Sequence, residues 1–143
     1  MKTAIILSGH GDFPLGIHDA IEKIAGPQED FSAIPFDTTQ DQDVLKEAFK
    51  EAISAFEDAD TVVVFCDLLG GTPFKTAVEF QMSDDRIRVV PGVNLPTLIE
   101  FALQRSFSED IDDLLEQSIE TGQAGLLNFK ISFDDDDMEV EDN

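Results

Sequence analysis

Short apolar runs alternate with longer amphipathic stretches along this chain. Thr3–Leu7, Phe31–Phe36, Thr61–Phe65 and Ile87–Val90 are rich in β-branched or aromatic residues, and each reads as a buried strand. The segments between them carry helical spacing. Ile17, Ile21 and Ile24 recur on one predicted face. Val44, Leu45, Ala48, Phe49, Ala52, Ile53 and Phe56 form a stronger stripe at i, i+1, i+4 and i+5. Thr72-Pro73 reads as a helix start, Thr at the N-cap and Pro at the first helical position. Asn94-Leu95-Pro96 opens a further helix through Leu98, Ile99, Ala102 and Leu103. Ser108 is the expected cap of a fifth helix, with Glu109 and Asp110 at its positive end, and Gly122 its expected stop.

This strand–helix alternation predicts an α/β fold, an open and mostly parallel sheet with helices on both faces. In Leu126–Phe133, Leu127, Phe129, Ile131 and Phe133 alternate with Asn128, Lys130 and Ser132. That one-sided pattern predicts a last, antiparallel strand at an edge of the sheet. No internal repeat or linker interrupts the pattern. The expected organisation is one domain over 1–133 and an acidic, disordered tail over 134–143.

Composition narrows the function classes. The chain has 143 residues, enough for one domain with a full core. Its 31 acids against 9 bases give a net charge of -22. Asp134, Asp135, Asp136, Asp137, Glu139, Glu141 and Asp142 lie in the tail, but the remainder is still strongly acidic. Duplex DNA and anionic membranes would be repelled. The acidity reads either as solubility or salt adaptation, or as steering of a basic protein partner. One Cys excludes an internal disulfide framework and a Cys-based zinc site. No apolar run is long enough to span a bilayer, and the N-terminus lacks signal-peptide features. The expected location is the reducing cytosol.

The chemistry concentrates after two of the predicted strands. Ser8-Gly9-His10-Gly11 follows the first and sets an imidazole between two glycines. Asp67-Leu68-Leu69-Gly70-Gly71-Thr72-Pro73 follows the third. In an open α/β sheet, ligands sit beyond the carboxyl ends of the strands, where the winding reverses. If the first and third strands are neighbours, His10 and Asp67 share that crevice. A carboxylate accepting Nδ1–H fixes the tautomer and leaves Nε2 free to attack. The Gly70-Gly71-Thr72 turn can aim N–H groups at an anion, Thr72 adds a hydroxyl, and the following helix adds its positive end. Together these suggest a covalent phosphoryl carrier. Each piece has a plainer reading: His10 as a loop residue, Asp67 as a cap of its own turn, Gly70-Gly71 as a turn without a ligand. His18 lacks a glycine frame and reads as a helix-surface residue; Cys66 reads as buried packing. A Walker loop is missing, and Asp134–Asp137 lacks calcium-loop spacing.

At these residues the sequence resembles the enzyme IIA domain of the mannose–fructose–sorbose family of the bacterial sugar phosphotransferase system. The likeness covers Lys2 to Phe133 and adds a third motif, Gly92-Val93-Asn94-Leu95-Pro96. It implies that Nε2 of His10 receives a phosphoryl group from the phosphocarrier protein HPr and passes it to a histidine of a IIB protein. Asp67 matches the family's carboxylate on the active imidazole, and Thr72 its Ser/Thr position. Gly71, Thr72 and Phe74 are then the expected phosphate-binding positions, with Gly92–Pro96 close to the same crevice. The resemblance further implies a homodimer in which the C-terminal strand crosses to its partner, no metal or organic cofactor, and only indirect contact with the membrane through a permease. Lys75 departs from the family, which often has Asn there, and the expected IIB is a separate protein. Two other readings stand beside the relay: the phosphocarrier subunit of dihydroxyacetone kinase, and a regulatory module that signals sugar supply through phosphorylation of His10.

Overall fold

In the computed structural model, residues 1–132 are described. Four parallel strands, β1 (Thr3–His10), β2 (Phe31–Phe36), β3 (Thr61–Cys66) and β4 (Ile87–Val90), form one sheet in the order β2-β1-β3-β4. Five helices connect or follow them: α1 (Phe13–Ala25), α2 (Gln42–Ala55), α3 (Thr72–Gln81), α4 (Leu95–Gln104) and α5 (Ile111–Ala124). Strand alternation divides the core. Ala4, Ile6, Val62, Val64 and Cys66 face one side, where Leu45, Phe49 and Phe56 from the α2 region and Ala77 of α3 cover them. Ile5, Leu7, Val63 and Phe65 face the other, beneath Ile21 of α1, Leu98 and Phe101 of α4, and Leu114 and Leu115 of α5. Phe49, Phe65 and Phe101 are fully buried, each worth about 1.5–3 kcal/mol in apolar transfer.

The amino ends of the strands are tied down by cations. Arg105 is buried and donates to the carbonyls of Thr3, Glu29 and Asp30. Arg86 donates to the carbonyls of Phe56 and Ala59 and pairs with Asp84. Buried carbonyls left without donors would cost about 1–3 kcal/mol each, so these side chains close the end of the sheet away from the predicted site.

Several local expectations change. The buried face of α1 runs through Phe13, Ile17, Ile21 and Ala25, while Ile24 is exposed; the face follows the i+4 row, which places small Ala25 against the core. Val44 likewise faces solvent. Gly71, not Thr72, is the N-cap residue of α3, so Thr72 is its first helical residue. Asp110, not Ser108, caps α5: its carboxylate accepts from Asp113 N at 3.1 Å, while Ser108 Oγ braces the turn before it. The cap expected at Asn94 is present and accepts from the amide of Thr97.

The largest difference is at the C-terminus. All four strands are parallel, and residues 126–132 form no strand within the chain; Phe133 and the tail 134–143 lie outside the described residues. A strand needs a ladder partner for its N–H and C=O groups, and within this chain the segment does not pair with β4. Leu126, Leu127, Phe129 and Ile131 stay exposed.

Gly122 does not end α5 but lies inside it, and a sterically crowded contact explains the glycine. A Cβ there would collide with Thr97 Oγ1 and lie 2.6 Å from Asn94 Oδ1, the two side chains that build the start of α4. Asn94 Nδ2 donates to the Gly122 carbonyl at 2.8 Å. A Gly→Ala change inside a helix ordinarily gains roughly 1 kcal/mol. Here Gly122→Ala is expected to lose about 1–3 kcal/mol through overpacking, measured by urea unfolding; an unchanged or raised midpoint would show that Thr97 and Asn94 yield freely.

Candidate active site

The winding places the site. From β1 the chain crosses to β2 on one side; from β3 it crosses to β4 on the other. The carboxyl ends of β1 and β3 therefore flank the switch point, where a crevice opens between diverging connections. The two strands pair in parallel up to Ser8 opposite Cys66. His10 ends β1 and Asp67 follows β3 directly, so the register brings them together.

One oxygen joins them. Asp67 Oδ2 accepts the backbone N–H of His10 at 2.8 Å and lies 2.9 Å from ring Nδ1. The first bond fixes the backbone of residue 10 and the second fixes its ring. A carboxylate only accepts, so Nδ1 carries the proton and Nε2 of the neutral ring holds the lone pair. Nε2 has no hydrogen-bond partner among the described residues. The His10 side chain is 35% exposed against 12% for Asp67: the carboxylate is enclosed and the imidazole partly open to solvent.

The ring is also held by shape. The Phe36 ring meets it edge-on, with centroids 5.6 Å apart, and the amide of Gly11 bonds to the Phe36 carbonyl at 2.8 Å. Gly71 leaves the ring room at Cε1, since a Cβ there would be 3.1 Å from His10 Cε1. Gly9 has no room for a side chain either: a Cβ would be 2.9 Å from Phe13 Cδ1 and 3.0 Å from Asp67 Cγ. Gly11 and Gly70 adopt positive φ, 56° and 83°, which their turns require. A cleft of about 530 Å3 opens beside His10, lined by Asp12, Pro35, Phe36, Asp37, Thr38 and Gln40.

The expected phosphate-binding positions are arranged unequally. The Gly71 amide is directed to Leu68 O at 3.3 Å, and its carbonyl accepts from Lys75 N at 2.9 Å. Thr72 and Phe74 lie in the first turn of α3, where N–H groups have no intrahelical acceptor. The Phe74 side chain packs into the core on the α2–α3 side, so only its backbone faces the helix start. The loop carrying Gly92-Val93-Asn94 is tied to the same strand end, with Val93 N bonded to Cys66 O at 3.0 Å. His18 is not a plain surface residue: its ring stacks on Phe31 at 4.4 Å and its buried Nε2 lies 3.8 Å from Glu22. Burial, with the charge of Asp67 behind it, pushes the Cys66 thiol up to about 12, so it stays protonated and unreactive near neutrality.

Phe36 and the exposed pair Leu68-Leu69 were not found by the motif reading. Leu68 and Leu69 are 58% and 77% exposed beside the site. The signal was available: two leucines in an Asp-to-Gly turn, where polar residues are ordinary.

Comparison with known proteins settles the family. A model of the family described as "PTS system fructose IIA component" matches residues 4–119. The chain belongs to this family, the IIA components of the mannose/fructose/sorbose type. Among curated relatives, it is 34% identical over 97 residues to the fructose-specific EIIA component of Bacillus subtilis (strain 168), which covers 68% of this chain and 66% of that protein. It is 27% identical over 130 residues to the mannose-specific EIIAB component of Escherichia coli (strain K12), covering 91% of this chain but 40% of the relative. The chain thus spans two thirds or less of the length of these two relatives. Among solved structures, a phosphotransferase system component EIIA from Streptococcus agalactiae superposes with a TM-score of 0.80 at 33% identity, over 88% of this chain and 96% of that one. The family's IIA fold is the parallel sheet with flanking helices described above.

The steric role of Gly9 is testable. Gly9→Ala is expected to displace the Asp67 carboxylate and release the tautomer. Nitrogen-15 spectra of the imidazole should show Nδ1–H in the parent protein and a mixture of tautomers in the variant, with about 1–3 kcal/mol lost in stability. An unchanged spectrum would mean that Phe13, not Asp67, absorbs the added methyl.

Proposed function

We propose that this IIA protein is a phosphohistidine relay of sugar uptake: His10 accepts a phosphoryl group from HPr and passes it to a histidine of a IIB component. The observation that carries the reading is the Nδ1–Asp67 contact at 2.9 Å with Nε2 left open at the switch point. The Nε2 lone pair attacks the phosphorus of the donor's phosphohistidine. The donor's N–P bond breaks, and its electron pair returns to the donor imidazole. As Nε2 gives up its lone pair, positive charge develops on the His10 ring, and the carboxylate facing Nδ1–H stabilises it without moving. The bound phosphoryl oxygens face the start of α3, where the first-turn amides of Thr72 and Phe74, the Thr72 hydroxyl and the helix dipole supply partial positive charge. Positioning and electrostatics are nearly all that phosphoryl transfer needs from a protein. Onward transfer to IIB runs the same step in reverse.

The exposed leucines beside the site support docking of a macromolecular donor, because an apolar rim excludes water around the transferring group. The acidic surface supports steering of a basic partner. No helix among the described residues is long and apolar enough to cross a membrane, so contact with the bilayer in this reading runs through the permease.

The direct test is incubation with phosphorylated HPr and mass mapping of the product. Label is expected on His10 alone and absent from His10→Ala; label on His18 would sink the reading. Asp67→Asn is expected to keep the fold and slow transfer by about 10²–10⁴-fold, because the ring loses its charge partner and its fixed tautomer. Quenched-flow transfer of radiolabelled phosphate measures it. Rapid loss of label to IIB distinguishes the relay from a sensor, in which label would persist.

A homodimer is part of this proposal. The outer edge of β4 has no strand partner among the described residues, an apolar cleft beside it is lined by Val90, Val93, Ile119 and Leu126, and Leu127, Phe129 and Ile131 are exposed at alternate positions. A second copy supplies the missing ladder if its C-terminal segment crosses over. A chain ending at Gly125 is expected to be monomeric by light scattering with its circular dichroism retained; a persistent dimer would place the interface elsewhere.

A further inference from the structure

We propose that Lys75 is a phosphoryl-binding cation of this chain, reaching back over Gly71 to the oxygens of the group carried on His10. The inference rests on the relay reading and adds a residue to it. Lys75 lies one helical turn beyond Gly71, and the bond from its amide to the Gly71 carbonyl, 2.9 Å, fixes that stacking. Residues four apart share a helix face, and helical side chains lean toward the N-terminus. The lysine stem is therefore directed over Gly71, where an added Cβ would lie 3.1 Å from His10 Cε1. Because Nδ1 is held by Asp67, the ring atom on the far side of Cε1 is Nε2, the atom that takes the phosphoryl group. Gly71 has no side chain to obstruct the path. The absence of a Cβ there thus serves both the ring and the cation.

The lysine is also uncommitted. Lys75 is exposed, and its side chain has no ion-pair or hydrogen-bond partner among the described residues. Glu79, its natural i+4 partner, is engaged by Lys46 at 3.3 Å. The best-anchored cations, Lys2, Arg86 and Arg105, sit at the amino ends of the strands, away from the site. Around His10 the charged groups are Asp12, Asp37 and Asp67. A phosphoryl group adding roughly two more negative charges has amides and the helix start to face it, and Lys75 is the side chain placed to supply a full positive charge.

The test uses phosphoramidate, which phosphorylates imidazoles chemically and needs no partner protein. Phosphorylated parent, Lys75→Gln and Lys75→Arg proteins are titrated by phosphorus-31 spectroscopy, with His10→Ala as the assignment control. A nearby ammonium favours the dianion, so the parent phosphoryl group should titrate at lower pH than in Lys75→Gln, with Lys75→Arg restoring the parent value. The rate of acceptance from phosphorylated HPr should fall about tenfold in Lys75→Gln, equivalent to about 1.4 kcal/mol. Identical titrations in parent and Lys75→Gln overturn the proposal, even if acceptance from HPr is slower, because the lysine would then contact the partner and not the phosphoryl group. Failure of HPr to label His10 at all, with a chemical phosphohistidine that titrates as expected, would overturn the relay and leave the cation site standing.

Discussion

A single carboxylate oxygen organises the site. Asp67 Oδ2 receives both the main-chain N–H and the ring of His10, so the position of the residue and the orientation of its imidazole are set by one acceptor. The β1–β3 ladder ends with Ser8 opposite Cys66, and the aspartate side chain carries the pairing of the two strands on to residue 10. That coupling has a chemical consequence. Small changes in strand register would move Oδ2 relative to both donors together, so the fully buried β1–β3 centre of the sheet is what keeps the tautomer fixed. The core's packing and the reactivity of Nε2 are linked through this atom.

The same economy explains the glycines. Gly9 gives Asp67 room, Gly71 gives the ring room, and Gly11 turns the chain at positive φ. The sequence shows them as a flexible frame around a histidine. Of these four glycines only Gly11 and Gly70 sit at positive φ and need their conformational freedom; Gly9 and Gly71 are glycine because the site is crowded. Flexibility is therefore not what these residues contribute. They permit a rigid arrangement that any Cβ would spread apart.

Most of the architecture was legible because strands and helices differ in period. The four strands and the alternation of faces follow from apolar patterning; the meeting of His10 with Asp67 follows from the switch-point rule once β1 and β3 are neighbours, and that neighbourhood comes from the sheet order. What was not legible depends on contacts distant in sequence. The burial of Ala25 instead of Ile24 reflects which side of α1 meets the sheet, and periodicity alone gives both rows nearly equal weight. Gly122 looks like a helix stop until Thr97 and Asn94 of α4 are seen against it. Stacking of His18 on Phe31 needs β2 beside α1. The alternation in Leu126–Ile131 is a strand pattern, but a pattern cannot name the strand it would pair with, and among the described residues it pairs with none.

The electrostatic setting bears on how a relay would work in a chain of net charge -22. A carrier that holds its cargo too well is as poor as one that holds it weakly, since binding that is equal in ground and transition states does not speed transfer. In the proposed relay the negative surroundings of Asp12, Asp37 and Asp67 would disfavour the phosphoryl group, while first-turn amides would favour it. A buried, bidentate arginine would tip that balance toward retention. A flexible, solvent-screened lysine on the helix face adds attraction that water and salt attenuate, and it can withdraw as the group departs. The arrangement of charges is thus consistent with a group held in passing, with orientation supplied by the rigid Asp67–His10 pair and affinity by weaker, displaceable elements.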